Sequence, residues 1–111
     1  KTMVVFQPHT YSRTKAYFDE FCSSLAEAHT LVIMDTYGAR ESASDGVDSD
    51  ALAHAISTKF AKHTVYGVFS YDKTLDFVIS RAKDHDNVLL LGAGDIYLLK
   101  DMLTPFLDKP R

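Results

Sequence analysis

The 111-residue chain is 46% hydrophobic and 24% charged, a globular balance that excludes intrinsic disorder and fits one domain. Twelve Lys and Arg against fifteen Asp and Glu leave a net charge of −3, the wrong sign for a protein that mainly grips a nucleic-acid backbone. The single cysteine, Cys22, cannot form an internal disulfide, no Cys/His group has zinc-ligand spacing, and no apolar run approaches the ~18 residues of a membrane span. A cytoplasmic protein is therefore expected.

In chain order, the apolar run Met3–Phe6 is the first expected strand. It follows Lys1 so directly that the chain reads as a piece of a longer protein. A helix is expected from Ser12 to Ala28, where Phe18, Phe21, Cys22 and Leu25 stand at i, i+3, i+4 and i+7. Leu31–Met34 is the second strand, and the Ser-, Asp- and Gly-rich stretch Arg40–Asp48 reads as a loop. Leu52, Ile56 and Phe60 then stripe a second helix, with Asp48 or Ser49 as its N-cap. Val65–Phe69, interrupted by Gly67, is a weaker and peripheral third strand. Leu75, Val78, Ile79 and Ala82 mark a third helix opened by Asp72. Val88–Leu91 is the fourth strand, and Ile96, Leu99, Leu103 and Phe106 stripe a fourth helix that Pro105 is expected to end. The first, second and fourth runs are almost unbroken apolar stretches, the pattern of parallel strands buried on both faces.

Such β-α alternation predicts an α/β fold: three layers, α/β/α, around a mostly parallel sheet with right-handed crossovers and strand order 3-2-1-4. Ligands in sheets of this kind sit beyond the carboxyl ends of the strands, where the strand order reverses. The loop after strand 1, Gln7-Pro8-His9-Thr10-Tyr11-Ser12-Arg13-Thr14, carries an imidazole, a guanidinium and several hydroxyls at a helix start. Two readings stand side by side. Thr10 or Ser12 caps the helix and Arg13 is solvated, or Arg13 offers a bidentate fork to a carboxylate or phosphate. After strand 2, Tyr37 precedes Gly38 and could present its ring to a ligand, while Arg40 beside Glu41 reads as a surface pair. After strand 4, Gly92-Ala93-Gly94-Asp95 would let backbone approach closely, but Tyr97 stands where a dinucleotide fingerprint needs its third glycine. Asp95 reads most simply as an N-cap. Cys22 reads as a core residue, and His29, His54, His63 and His85 share no metal spacing. There is no P-loop motif, and a phosphorelay receiver would need acids after strand 1, where Gln7-Pro8-His9 stands.

The run Val4–Thr14, the helix residues Phe18-Asp19-Glu20-Phe21, the stretch Tyr37–Glu41 and the segment Leu91–Ile96 together resemble a C-terminal domain of the Mur ligase family, in order and across nearly the whole chain. Within that family the Phe6-Gln7-Pro8-His9 run resembles the branch that joins L-alanine to UDP-N-acetylmuramate in peptidoglycan biosynthesis. The resemblance implies that residues 1–111 form a Rossmann-like closing domain, truncated at its N-terminal side, of an ATP-dependent ligase. It implies ATP and Mg2+ held mainly by a central domain outside this sequence. It also implies amino-acid and acyl-phosphate contacts from His9 and Arg13, with Thr10 and Tyr37 beside them, and loop contacts from Ser12, Gly92, Gly94 and Asp95. Thr10 stands where many members have Arg, so the resemblance implies that one of the two basic contacts is either missing or replaced here. The Asp-Tyr-x-His-His-Pro strand that precedes this region in the family is absent, and the chain alone is expected to catalyse nothing. The competing expectation is a free-standing Rossmann-like module that binds a small anion without catalysis. In the family that missing upstream strand lies beside the one matching Val88–Leu91, so strand 88–91 is expected to be a sheet edge that pairs with a second copy or is covered by the chain's own N- or C-terminal residues.

Overall fold

Strands and helices alternate along the computed structural model, which describes residues 1–38, 40–42, 46–59, 64–92 and 96–107. The strands are β1 (Thr2–Gln7), β2 (Thr30–Met34), β3 (Thr64–Phe69) and β4 (Asn87–Gly92), and the helices α1 (Tyr11–Ala16), α2 (Phe18–Leu25), α3 (Ser49–Lys59), α4 (Tyr71–Arg81) and α5 (Tyr97–Leu107). Every strand pairing is parallel, in the order β3-β2-β1-β4. The fold is α/β with an open parallel sheet, as the alternation predicts.

Period-2 geometry sends neighbouring side chains to opposite faces, which makes two cores from one sheet. Met3, Val5, Val32 and Met34 pack on one face against Val78, Ala82, Ile96, Leu99 and Leu103, from α4, the following 3-10 turn, the residue before α5 and α5 itself. Phe6, Leu31 and Ile33 pack on the other against Cys22, Leu25, Ala28, Leu52 and Ile56, chiefly from α2 and α3. The stripes read from periodicity therefore do face the sheet, leaving aside Phe60 and the Phe106 side chain, which lie outside what the structure describes.

Four local expectations need correction. The single helix over 12–28 is two helices, with Tyr17 bent out of helical geometry at φ −116° and ψ 28°. The bend keeps its bonds, Tyr17 N–H to Arg13 O at 3.1 Å and Phe21 N–H to Tyr17 O at 2.9 Å, so it leaves no mark on the apolar spacing. The third helix opens on Ser70, whose hydroxyl accepts from the Lys73 N–H, and Asp72 lies inside its first turn. Pro105 does not end α5 but sits within it, on the solvent side, where the bond its missing N–H would have made can be replaced by water. Finally, β4 is not buried on both faces. Val88 and Leu90 pack against the first core, while Leu89 and Leu91 remain 43% and 39% exposed. β4 is the last strand of the sheet, and no described helix covers its second face.

Candidate functional site

The site begins where β1 and β2 end. Their pairing does not stop with the strands: His9 and Tyr37 form one further parallel bridge. Tyr37 N–H donates to Pro8 O and Thr10 N–H donates to Tyr37 O, both at 2.8 Å. This registers the two loops residue against residue, and the His9 ring stacks on the Tyr37 ring at 5.5 Å and 19°. The His9 Nδ1 is buried without a hydrogen-bond partner, while Tyr37 is 40% exposed. An imidazole so placed is held by its neighbour's ring and has hydrogen-bonding capacity to spare.

Thr10 then takes φ 62° and ψ 150°, a backbone region essentially reserved for glycine. Such a residue costs about 1–3 kcal/mol and persists only where its surroundings over-determine it. Here they do. The Thr10 hydroxyl caps α1 by accepting from the Arg13 N–H at 3.3 Å, and the Thr10 carbonyl accepts from the buried Thr14 hydroxyl at 2.9 Å. Of the two readings of the loop, the capping one is thus realised by Thr10. It does not consume Arg13, whose side chain is exposed and pairs with no carboxylate among the described residues.

Ser12 is engaged from across the gap. The Glu41 carboxylate accepts from the Ser12 N–H at 2.9 Å and from the Ser12 hydroxyl at 2.5 Å. Those bonds hold the Glu41 carboxyl below its usual range, the Ser12 hydroxyl contributing most, with nearby His9 a smaller pull. The expected Arg40–Glu41 pair is therefore not what the structure shows: Glu41 serves the helix start instead. Two glycines permit the approach. A Cβ on Gly38 would come within 2.9 Å of the Tyr11 ring, and one on Gly46 would collide with the Tyr11 carbonyl. Val47 N–H donates to Tyr11 O at 3.0 Å, and Thr36 and Ser49 share a 2.7 Å hydroxyl contact.

On the other side, Gly92 pairs with Gln7 at the end of the β1–β4 ladder, and a Cβ there would lie 3.0 Å from the Gln7 carbonyl oxygen. Gly94 and Asp95, and with them the expected cap of α5, lie outside the described residues. His9, Thr10, Ser12, Arg13 and Tyr37 thus lie on two loops fastened to each other at the ends of β1 and β2, with Gly92 beside Gln7 at the end of the β1–β4 ladder. Glu41 was missed by sequence reasoning. The available signal was that α1 has no acidic residue in its own first turn, so its N–H groups need a carboxylate from elsewhere.

The remaining candidates are structural. Cys22 is buried, and burial, then Asp19, push its thiol upward, away from reactivity. His85 bridges Thr30 Oγ1 at 2.8 Å and Arg81 O at 3.0 Å. His63 lies outside the described residues. Among the described residues no three His, Cys, Asp or Glu side chains converge on a metal-sized site, and no helix is long and apolar enough to cross a membrane. Chemically, the two loops carry the His9 imidazole and the Arg13 guanidinium, which has no carboxylate partner among the described residues, while the Ser12 hydroxyl is already taken by Glu41.

No family model matches the chain. It is 43% identical over 99 residues to a UDP-N-acetylmuramate–L-alanine ligase of Clostridium botulinum (strain Eklund 17B / Type B), and equally so to one of Clostridium beijerinckii. Each match covers 89% of this chain and 21% of the relative. The ligase of the same name from Desulforapulum autotrophicum is 38% identical over 107 residues, 96% of this chain and 23% of its own. Over about nine-tenths of its length the chain is thus homologous to one segment of the UDP-N-acetylmuramate–L-alanine ligases, and it spans about a fifth of the length of those relatives.

Proposed function

We propose that this chain is the C-terminal, amino-acid-binding and closing domain of a UDP-N-acetylmuramate–L-alanine ligase. One observation supports the reading: 99 residues of the chain match those ligases at 43% identity, and the loops that carry His9, Arg13 and Tyr37 are joined at the ends of β1 and β2, β1 being the strand where the order reverses. In this reading ATP phosphorylates the muramoyl carboxylate, the L-alanine amine attacks the acyl phosphate, and inorganic phosphate leaves as the amide forms. ATP and Mg2+ are assigned to the remainder of the longer protein, as the resemblance implies. The chain's own part is binding and orientation. Arg13 takes a carboxylate or phosphoryl oxygen pair, His9 faces the same group from the Tyr37 ring, and closure of the domain removes water from both. Ser12, Gly92, Gly94 and Asp95 are carried over as loop contacts on the resemblance alone. Alone, the chain is inactive.

In the longer ligase, Arg13→Ala lowers kcat/KM for L-alanine by roughly 30- to 1000-fold, the ~2–4 kcal/mol of a desolvated charge pair lost from one side. A folded Arg13→Ala enzyme with unchanged kcat/KM would return Arg13 to the solvated surface.

The isolated chain is also proposed to self-associate through β4. Its unpaired edge and the exposed Leu89 and Leu91 make a template for a second β4. Sedimentation as a clean monomer at high micromolar concentration would exclude this.

A further inference from the structure

Three features around Glu41 belong together. Thr10 holds a backbone conformation that non-glycine residues avoid, at the turn that carries His9 on one side and Arg13 on the other. The next residue but one, Ser12, is gripped through both its N–H and its hydroxyl by a single carboxylate from the loop after β2. That loop is itself bound to the turn by the His9–Tyr37 bridge and by Val47 N–H to Tyr11 O.

We infer that Glu41 is a positioning residue, a clasp that joins the β2 loop to the start of α1 and so keeps His9 and Arg13 at a fixed separation across the strained Thr10 turn. The inference rests on the functional reading above for what the two residues bind, but not for the clasp itself.

A turn with one unfavourable residue relaxes unless both flanks are tied. The N-terminal flank is tied by the Thr10 and Tyr37 backbone bonds. The C-terminal flank begins α1, only six residues long, with no acidic side chain of its own in the first turn. Short helices are marginal without partners for their first N–H groups. The Glu41 carboxylate supplies that partner from outside the helix, and its second oxygen takes the Ser12 hydroxyl, so the contact is two-pointed and fixes orientation as well as distance. If the clasp opened, the start of α1 would loosen against the β2 loop, and Arg13 would move with it relative to the His9–Tyr37 stack. Arg13 is well exposed and has no partner among the described residues to hold it otherwise.

The test has two arms and uses Glu41→Ala with Glu41→Gln as the conservative variant, whose amide oxygen can still accept the Ser12 N–H. On this chain, amide exchange is read residue by residue. Glu41→Ala is expected to speed Ser12 exchange at least tenfold while Val5, Val32 and Ile33 stay as protected as before, and Glu41→Gln to keep it within about threefold of the parent. Unchanged Ser12 exchange, or loss of protection throughout the sheet, would overturn the clasp. In the full-length ligase, Glu41→Ala is expected to lower kcat/KM for L-alanine about 10- to 100-fold, chiefly through KM, with Glu41→Gln recovering most of it and the KM for ATP unmoved. If Arg13→Ala impairs the enzyme while Glu41→Ala does not, the positioning role is wrong and the amino-acid site stands. If both are silent although Ser12 has lost protection, the reading of the site falls and takes the positioning role with it.

Discussion

The carboxyl ends of β1 and β2 and the outer edge of β4 belong to the same sheet but are finished in opposite ways. At β1 and β2 the chain continues its pairing beyond the strands, adds a cap, a carboxylate clasp and two close glycine approaches, and spends polar residues on holding one turn. At β4 it leaves Leu89 and Leu91 open beside an unpaired backbone edge. Internal polar bonding of that density marks a place whose geometry matters in itself. Uncovered apolar surface on an edge strand marks a place that another segment or copy is meant to finish.

The contrast can be tested, beginning with the largest effect. Ile33 is fully buried in central β2, and Ile33→Ala should cost about 2–5 kcal/mol by chemical denaturation, whereas Leu91→Ala on the open edge should cost under ~1 kcal/mol. Equal losses would mean that the edge is covered. Gly46→Ala comes next, because its new Cβ meets the Tyr11 backbone carbonyl rather than a side chain that can step aside. We expect a loss of about 1–3 kcal/mol, together with faster Val47 amide exchange, and an unperturbed Gly46→Ala protein would show that the two loops are not fastened there. Leu89→Lys places a charge on the bare edge and should leave stability within ~0.5 kcal/mol while abolishing self-association. Persistent dimers in that variant would move the contact away from β4.

The smallest effect is the pH dependence of the clasp. The Glu41 carboxyl is held low by the Ser12 hydroxyl, then by the Ser12 N–H. A carboxyl with a depressed folded value contributes stability that is complete above its unfolded value and is lost as pH falls through the folded one. The stability difference between the parent and Glu41→Gln should therefore be present at neutral pH and shrink below the ordinary carboxylate range. A difference that grows on acidification would have the wrong sign for an ionised clasp.

Much of this architecture is legible in the sequence because it depends on spacing. Leu31-Val32-Ile33-Met34 serves two cores at once, so an unbroken apolar run already means a strand with a helix layer on each side. Cys22 and Leu25 face the sheet as their spacing requires. What spacing cannot register is a change that preserves it, such as the Tyr17 bend or the placement of Pro105 on the wet side of α5. The same limit applies to β4, whose Val88-Leu89-Leu90-Leu91 looks like a central strand and is an edge. An apolar residue reports its preference for burial, not whether a neighbour exists to bury it.

The candidate site divides in the same way. His9, Arg13 and Tyr37 stand out in the sequence because their chemistry is unusual at strand ends. Glu41 does not stand out, since a Glu beside an Arg has an ordinary surface explanation and its real partner lies 29 residues away. By itself the sequence determined the alternation of elements, the inward stripes and the residue types at the strand ends, all properties of neighbours within one or two turns. Only the tertiary structure decided that Glu41 reaches Ser12, that Thr10 is held in a glycine's conformation and that β4 has an open face. Each of these depends on which segments meet in space, and a parallel sheet brings together loops that its crossover helices keep far apart along the chain.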